Sequence, residues 1–113
     1  MNFNINRVKI IVTVPKENLD EVRDAMCKEG AGIIGNYTNC SMTTKCIGTY
    51  MPNDSANPYY GEINKLDFAE EEKLEVVCDV VNVKKVVKKL RDVHPYEEPA
   101  IDIIPLLDEK DFD

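Results

Sequence analysis

The one histidine of the chain, His94, lies in the run Val93-His94-Pro95-Tyr96-Glu97-Glu98-Pro99, which sets an imidazole, a phenol and two carboxylates within five residues. Side chains of these types move protons and ligate metals. Two adjacent carboxylates share a proton only if both reach one side. Pro99 holds Glu98 extended, and extended neighbours point to opposite faces, so Glu97 and Glu98 read as two separate carboxylates rather than a dyad. His94 follows an apolar helical stripe and precedes Pro95, which cannot continue a helix. Its first expected role is to bond the last carbonyls of that helix. A closed transition-metal site needs about four convergent ligands. One histidine without a Cys-x-x-Cys pair does not supply them within a single chain, whereas symmetry-related copies of His94 would.

The four cysteines, Cys27, Cys40, Cys46 and Cys78, form no Cys-x-x-Cys pair. The opening residues have no long apolar core of a signal peptide, so a cytoplasmic chain with reduced thiols packed as small hydrophobes is expected. There is no phosphate loop of the Gly-x-x-x-x-Gly-Lys type, no Gly-x-Ser-x-Gly elbow and no His-Glu-x-x-His helix. A cysteine nucleophile would have only His94 as base. No complete catalytic constellation is present, and the expectation is a protein that is not an enzyme.

The elements that must position these groups follow from apolar periodicity. Val8, Ile10, Val12 and Val14 alternate as a strand that Pro15 ends; Leu19, Val22 and Met26 then recur at helical spacing, and Gly30 stands where a helix takes a left-handed stop. The plan repeats. Leu74, Val76, Cys78 and Val80 alternate, Asn82 is placed to cap a helix, and Val83, Val86, Val87 and Leu90 form its stripe. At an offset of 64, Ile10 falls on Leu74, Val12 on Val76, Val22 on Val86, Met26 on Leu90 and Gly30 on His94. Each unit continues into a second apolar stretch, Ile33 to Met42 and Ala100 to Leu106, giving strand-helix-strand twice. Two such units interleave as an α+β ferredoxin-like split βαβ (βαββαβ): a four-stranded antiparallel sheet with two helices on one face. Between the halves, residues 47–69 read as a long loop, a functional or intersubunit segment.

A chain of 113 residues with 43% hydrophobic and 31% charged residues is one folded domain, residues 1–113. Its net charge of -7 repels polyanions and anionic membrane surfaces. The cluster Lys84, Lys85, Lys88, Lys89 and Arg91 occupies the side of its helix opposite the apolar stripe, so it reads as a solvated face. Neither nucleic acid nor membrane is an expected partner.

Four segments in order, "GAGIIGNYTNCSMTT" at 30–44, "GTYMP" at 48–52, "SANPYYGEINKLD" at 55–67 and "HPYEEPAIDIIPL" at 94–106, resemble the domain inserted in YqfO-type proteins of the Nif-three-like family, here in stand-alone form. That domain is similar in fold to CutA and the PII signalling proteins; CutA shares the His-Pro-Tyr-x-x-Pro segment, but it usually carries tryptophan, which this chain lacks. Cys46 and Asn64 stand where relatives tend to have glycine, and Asn tolerates a left-handed backbone. The resemblance implies a small oligomeric binding or regulatory module, a homotrimer in the CutA and PII manner, with a CutA-like divalent-cation protein as the alternative. It does not imply the dinuclear metal chemistry of the full-length proteins, whose ligands lie in flanking domains. The expected site is a subunit junction, with Tyr37, Cys40, Tyr96 and Glu98 on a small ligand and His94 and Glu97 on a metal. The ligand expected there is a divalent cation or a small anion, between which the sequence does not choose, and a divalent metal ion is the one cofactor considered. A separate protein partner is left open.

Overall fold

Eight residues of strict alternation, buried at every second position, form the first strand, β1 (Arg7–Val14), in the computed structural model. The structure describes residues 3–112, so Met1, Asn2 and Asp113 of the expected domain lie outside the described residues. Helix α1 (Leu19–Lys28), strands β2 (Met42–Tyr50) and β3 (Asp67–Asp79), helix α2 (Val83–Val93) and strand β4 (Ile101–Leu106) follow. All strand pairings are antiparallel and the order is β2-β3-β1-β4, the ferredoxin-like arrangement expected from the repeat.

The 64-residue offset holds in three dimensions. The turn of 3₁₀ helix before α1, Lys16–Asn18, corresponds to that before α2, Val80–Asn82. Ile10 and Leu74, Val12 and Val76, Val14 and Cys78, Val22 and Val86, and Met26 and Leu90 are all buried in one core. In the β1–β3 ladder Ile11 lies opposite Glu75, its own equivalent in the repeat, while Ile10 faces Val76 and Val12 faces Leu74. The two units are thus related by a pseudo-twofold axis through the Ile11–Glu75 pair. Each half alone would leave its apolar strand face and helix stripe in water, and full burial of a side chain such as Ile10 or Met26 contributes about 1.5–3 kcal/mol.

The helix ends differ between the halves. Helix α1 closes as a Schellman motif: Ala31 N–H donates to Met26 O at 3.2 Å, Gly30 N–H donates to Cys27 O at 3.1 Å, and Gly30 takes φ +110°. Asn82 does not cap α2 with its side chain. The preceding 3₁₀ turn already starts the winding, and the Asn82 amide lies instead against Gly30, 2.8 Å from where a Cβ there would stand. Helix α2 ends at His94, whose backbone is extended at ψ 134° and whose N–H donates to Leu90 O at 2.9 Å. The His94 ring does not bond the helix carbonyls. Nδ1 accepts from Tyr96 N–H at 3.1 Å, which assigns the proton to Nε2, and Nε2 donates to Thr13 O at 2.8 Å. The ring therefore ties the turn after α2 to the end of β1.

Two element boundaries move. The expected second strand at 33–42 is mostly loop: Gly32, Gly35 and Asn39 take φ +77°, +56° and +57°, and the apolar pair Ile33 and Ile34 runs into a tight turn closed by reciprocal Ile34–Tyr37 backbone bonds of 3.0 and 2.9 Å. The strand begins only at Met42. It pairs with β3 as far as Tyr50↔Asp67, so the expected loop at 47–69 shortens to 51–66, and Cys46 lies in extended strand opposite Glu71. Residues 67–71 of β3 pair with β2 alone, because β1 reaches only Glu72; this two-stranded arm helps draw the molecule out to 52 × 29 × 24 Å.

Gly30→Ala should destabilise the chain by about 1–3 kcal/mol in urea unfolding, because the left-handed backbone and the Asn82 amide both resist a Cβ. In an Asn82→Ala background the same change should cost less, though still more than zero; equal costs would show that the contact is not felt. Burial holds the His94 pKa below its ordinary value near 6.5, against the Thr13 bond and the Glu71 charge. The unfolded chain then binds a proton the folded chain refuses. Stability should be full above about pH 6.5 and fall below it, by at most about 1.4 kcal/mol per pH unit, before the carboxylates begin to titrate. Urea titrations of wild type and His94→Gln between pH 7.5 and 5.5 should show a slope in the first only.

Candidate functional site

Where β1 finishes, the sequence must turn three chain segments at one end of the sheet: the β2–β3 connection, the turn into α1 and the turn from α2 into β4. The connection at 51–66 folds as an Ω-loop, its ends held together by the Tyr50↔Asp67 pair. Pro52 O accepts from Asn64 N–H at 2.6 Å, and the Asn64 amide donates to Asp54 at 2.6 Å while its backbone takes φ +60°. Asn53 makes a local turn by accepting from Ser55 N–H at 3.0 Å. Two long-range bonds dock the loop: Asn57 N–H donates to Glu97 Oε2 at 2.6 Å, and the Tyr60 hydroxyl donates to Glu17 Oε1 at 2.7 Å. The second bond lowers the Glu17 pKa and pushes the Tyr60 phenol up to about 12.

Between this loop, the strand ends and the 94–100 turn lies a cavity of about 330 Å³. One wall is aromatic. Ring centroids of Tyr59 and Tyr60 stand 4.5 Å apart, and Tyr96 is 6.1 Å from the first and 6.2 Å from the second. Tyr50, Met51 and Pro58 add apolar surface. The charged groups lining it are all carboxylates, Glu71, Glu97 and Glu98. Glu98 sits 3.9 Å from Arg91, so the two adjacent glutamates have separate partners, as the extended geometry implied. Glu71 differs from both: its Oε2 is buried and makes no hydrogen bond of ordinary length. Gly48 lies beside the carboxylate, and a Cβ there would stand 2.5 Å from Glu71 Oε1, so a side chain at 48 would push the carboxylate end aside. Burial, followed by the Glu71 carboxylate, pushes the Tyr96 phenol upward.

Of the residues singled out from sequence, Tyr96, Glu97 and Glu98 line this cavity, and His94 lies just behind Tyr96, ring centroids 4.9 Å apart, with both nitrogens engaged. Tyr37 and Cys40 are elsewhere. Their loop is tied to the far end of β3 through Gly32 N–H to Val77 O at 2.7 Å and Cys40 N–H to Gly32 O at 2.8 Å. Val77 lies six positions along β3 from Glu71, about 20 Å, so one chain does not bring the two groups together. Among the described residues no three His, Cys, Asp or Glu side chains converge as a metal-binding group, and all four cysteines are free thiols. Sequence reasoning missed Glu71, Tyr59 and Tyr60. Glu71 is hidden in the run Glu70-Glu71-Glu72, which resembles a solvated stretch. Three tyrosines in "TYMPNDSANPYY" were the available signal for the aromatic wall.

No helix among the described residues is long and apolar enough to cross a membrane. No family model matches the sequence. The chain is 43% identical over 101 residues to a protein of Halalkalibacterium halodurans named GTP cyclohydrolase 1 type 2 homolog; the match takes in 89% of this chain and 27% of that protein. A solved structure, a Bacillus cereus protein related to NIF3, superposes with TM-score 0.79 at 33% identity over 93% of this chain and 27% of its own. CutA from Synechococcus elongatus superposes with TM-score 0.68 at 13% identity, over 94% of this chain and 81% of its own. Bacillus subtilis GlnK does so with TM-score 0.61 at 15% identity, over 89% of this chain and 85% of its own. The chain thus spans about a quarter of the length of the curated relatives it matches. Over most of its residues it is a homologue of one segment of the YqfO-type, NIF3-related proteins that carry the name GTP cyclohydrolase 1 type 2 homolog, built on the ferredoxin-like fold of CutA and GlnK.

Proposed function

We propose that the chain is a binding or regulatory module that works as an oligomer, a homotrimer in the manner its resemblance to CutA and PII implies, and that it takes a small ligand in the cavity under the 51–66 loop. The observation that carries this reading is the cavity itself, a space of small-molecule size with a tyrosine wall and with Glu71 Oε2 buried beside Tyr96 and short of a hydrogen bond of ordinary length. A buried polar atom without a partner is costly, and a ligand that supplies the partner recovers that cost.

Turnover is a poorer reading. The only imidazole spends both nitrogens on backbone groups, so no free general base stands beside a nucleophile. The cyclohydrolase in the relatives' name belongs to proteins more than three times as long and does not pass to this segment on similarity alone. The CutA-like alternative, a divalent cation on His94 and Glu97, would require His94 to give up a bond to Thr13 or Tyr96, while Glu97 has Oε1 to offer beside its bond to Asn57.

Self-association is supported by exposed apolar side chains on the two-stranded arm, Ile47 at 70% and Phe68 at 65% exposure, and by a sheet whose second face carries no helices. Both residues project from one side of the arm. Light scattering should give an oligomer, three chains on this reading, and Ile47→Asp with Phe68→Asp should lower the mass to one chain while circular dichroism stays unchanged. A wild-type monomer at ~100 μM would contradict the oligomeric part. In thermal-shift titrations the CutA-like alternative predicts stabilisation by Cu²⁺ or Zn²⁺ that Glu97→Gln weakens; an unaltered shift in the variant removes it.

A further inference from the structure

The ligand chemistry can be narrowed by asking which charges the cavity leaves unspent, and this step rests on the reading that the cavity is a binding site. Among the residues that line it there is no Lys, Arg or His. A phosphate or carboxylate ligand would meet three glutamates and no cation. Three carboxylates with no cation among them repel an anion.

The carboxylates are not equivalent. Glu97 already accepts from Asn57 N–H at 2.6 Å, and Glu98 lies 3.9 Å from Arg91. Glu71 Oε2 is buried and makes no hydrogen bond of ordinary length, and the Tyr96 phenol, its pKa raised in part by its interaction with this carboxylate, is the donor beside it. A bond from a neutral N–H leaves the charge of Glu97 in place, so Glu71 and Glu97 together keep the cavity negative and favour a cationic ligand. A bare divalent ion is a poor match, because hard cations of this kind take six to eight oxygens in a close shell, whereas the cavity is about 330 Å³ and largely walled by apolar groups. The remaining class is a cation that carries its own apolar surface. The Tyr59, Tyr60 and Tyr96 rings provide the matching wall, since ring faces attract substituted ammonium groups within about 6 Å. Both Tyr60 and Tyr96 hold their phenol protons above the ordinary range, so the wall adds no charge of its own at neutral pH.

We infer that the cavity binds a small organic cation with an alkylated ammonium head, its charge against Glu71 and its alkyl surface against Tyr59, Tyr60 and Tyr96. Gly48 leaves room beside the Glu71 carboxylate, whose flexible end a Cβ at 48 would displace.

The test is calorimetric titration of the full chain, at fixed ionic strength, with choline and with its uncharged carbon isostere 3,3-dimethylbutan-1-ol. Choline should bind saturably at one per chain, and the isostere at least tenfold more weakly. Glu71→Gln, which keeps the shape of the side chain, should weaken choline at least tenfold. If that variant does not fold, Tyr59→Leu on the surface loop should weaken choline severalfold. Equal affinity for choline and the isostere would overturn the proposal, as would an unchanged affinity in a folded Glu71→Gln. Inorganic phosphate or Ca²⁺ is the informative comparison: if either perturbs the tyrosine NMR signals and choline does not, the ligand class is wrong while the cavity stands as a binding site. If none of the four probes gives heat or shifts a tyrosine signal, the binding-site reading fails with it.

Discussion

The antiparallel ladder between β1 and β3 is the constraint on which the rest of the structure hangs. Neither strand-helix unit can bury its own apolar face, so the two share one interface, with Ile11 opposite its repeat equivalent Glu75 at the centre. That single register places Val12 against Leu74 and Ile10 against Val76, and it brings α1 and α2 side by side over one core. A slip of one residue would turn both sets of branched side chains out of the core at once. The edge strands follow from it, because β2 and β4 find room only on the outer sides of the central pair.

The ladder also decides where a site can form. Strand β3 is longer than β1, so it runs on past Glu72 with β2 as its only partner, and Glu71 is the first residue beyond the shared region. There the sheet changes from four strands toward two, and the chain has backbone to cover. The 51–66 loop and the 94–100 turn cover it. They meet through Asn57 and Glu97, and the loop is held to the turn before α1 by Tyr60 and Glu17. His94 contributes from behind, fixing the turn to Thr13. A residue that looks like a reagent in the sequence is thus a buried strut, and the carboxylate buried at the cavity belongs to a glutamate that no local pattern singles out.

The fold was legible because the buried positions repeat. Every second residue of β1 and most of those in the inner half of β3 are buried, and the helix stripes Val22/Met26 and Val86/Leu90 sit at the same offset. The second strand was not legible. Ile33 and Ile34 advertise a strand that positive φ angles at Gly32 and Gly35 forbid, whereas the real strand Met42–Tyr50 is a polar edge with a mostly exposed pattern. Of the site, the 94–98 half could be read because prolines and a lone histidine mark it. The other half depends on a register, Cys46 opposite Glu71 and Gly48 opposite Ala69, that no local pattern encodes. Tyr37 and Cys40 were expected with that site at a subunit junction, and within one chain the tie of Gly32 to Val77 puts them at the opposite end of the sheet.

The central claim is that the end of the sheet under the 51–66 loop is a place for a cationic ligand, with Tyr59, Tyr60 and Tyr96 in contact with it. The most direct measurement is an NMR experiment that detects intermolecular contacts between the choline methyl protons and the protein. The account predicts cross-relaxation to the ring protons of those three tyrosines and to the side chain of Glu71. Contacts confined to the exposed Ile47 and Phe68 of the arm, or to the Tyr37 loop, would contradict it.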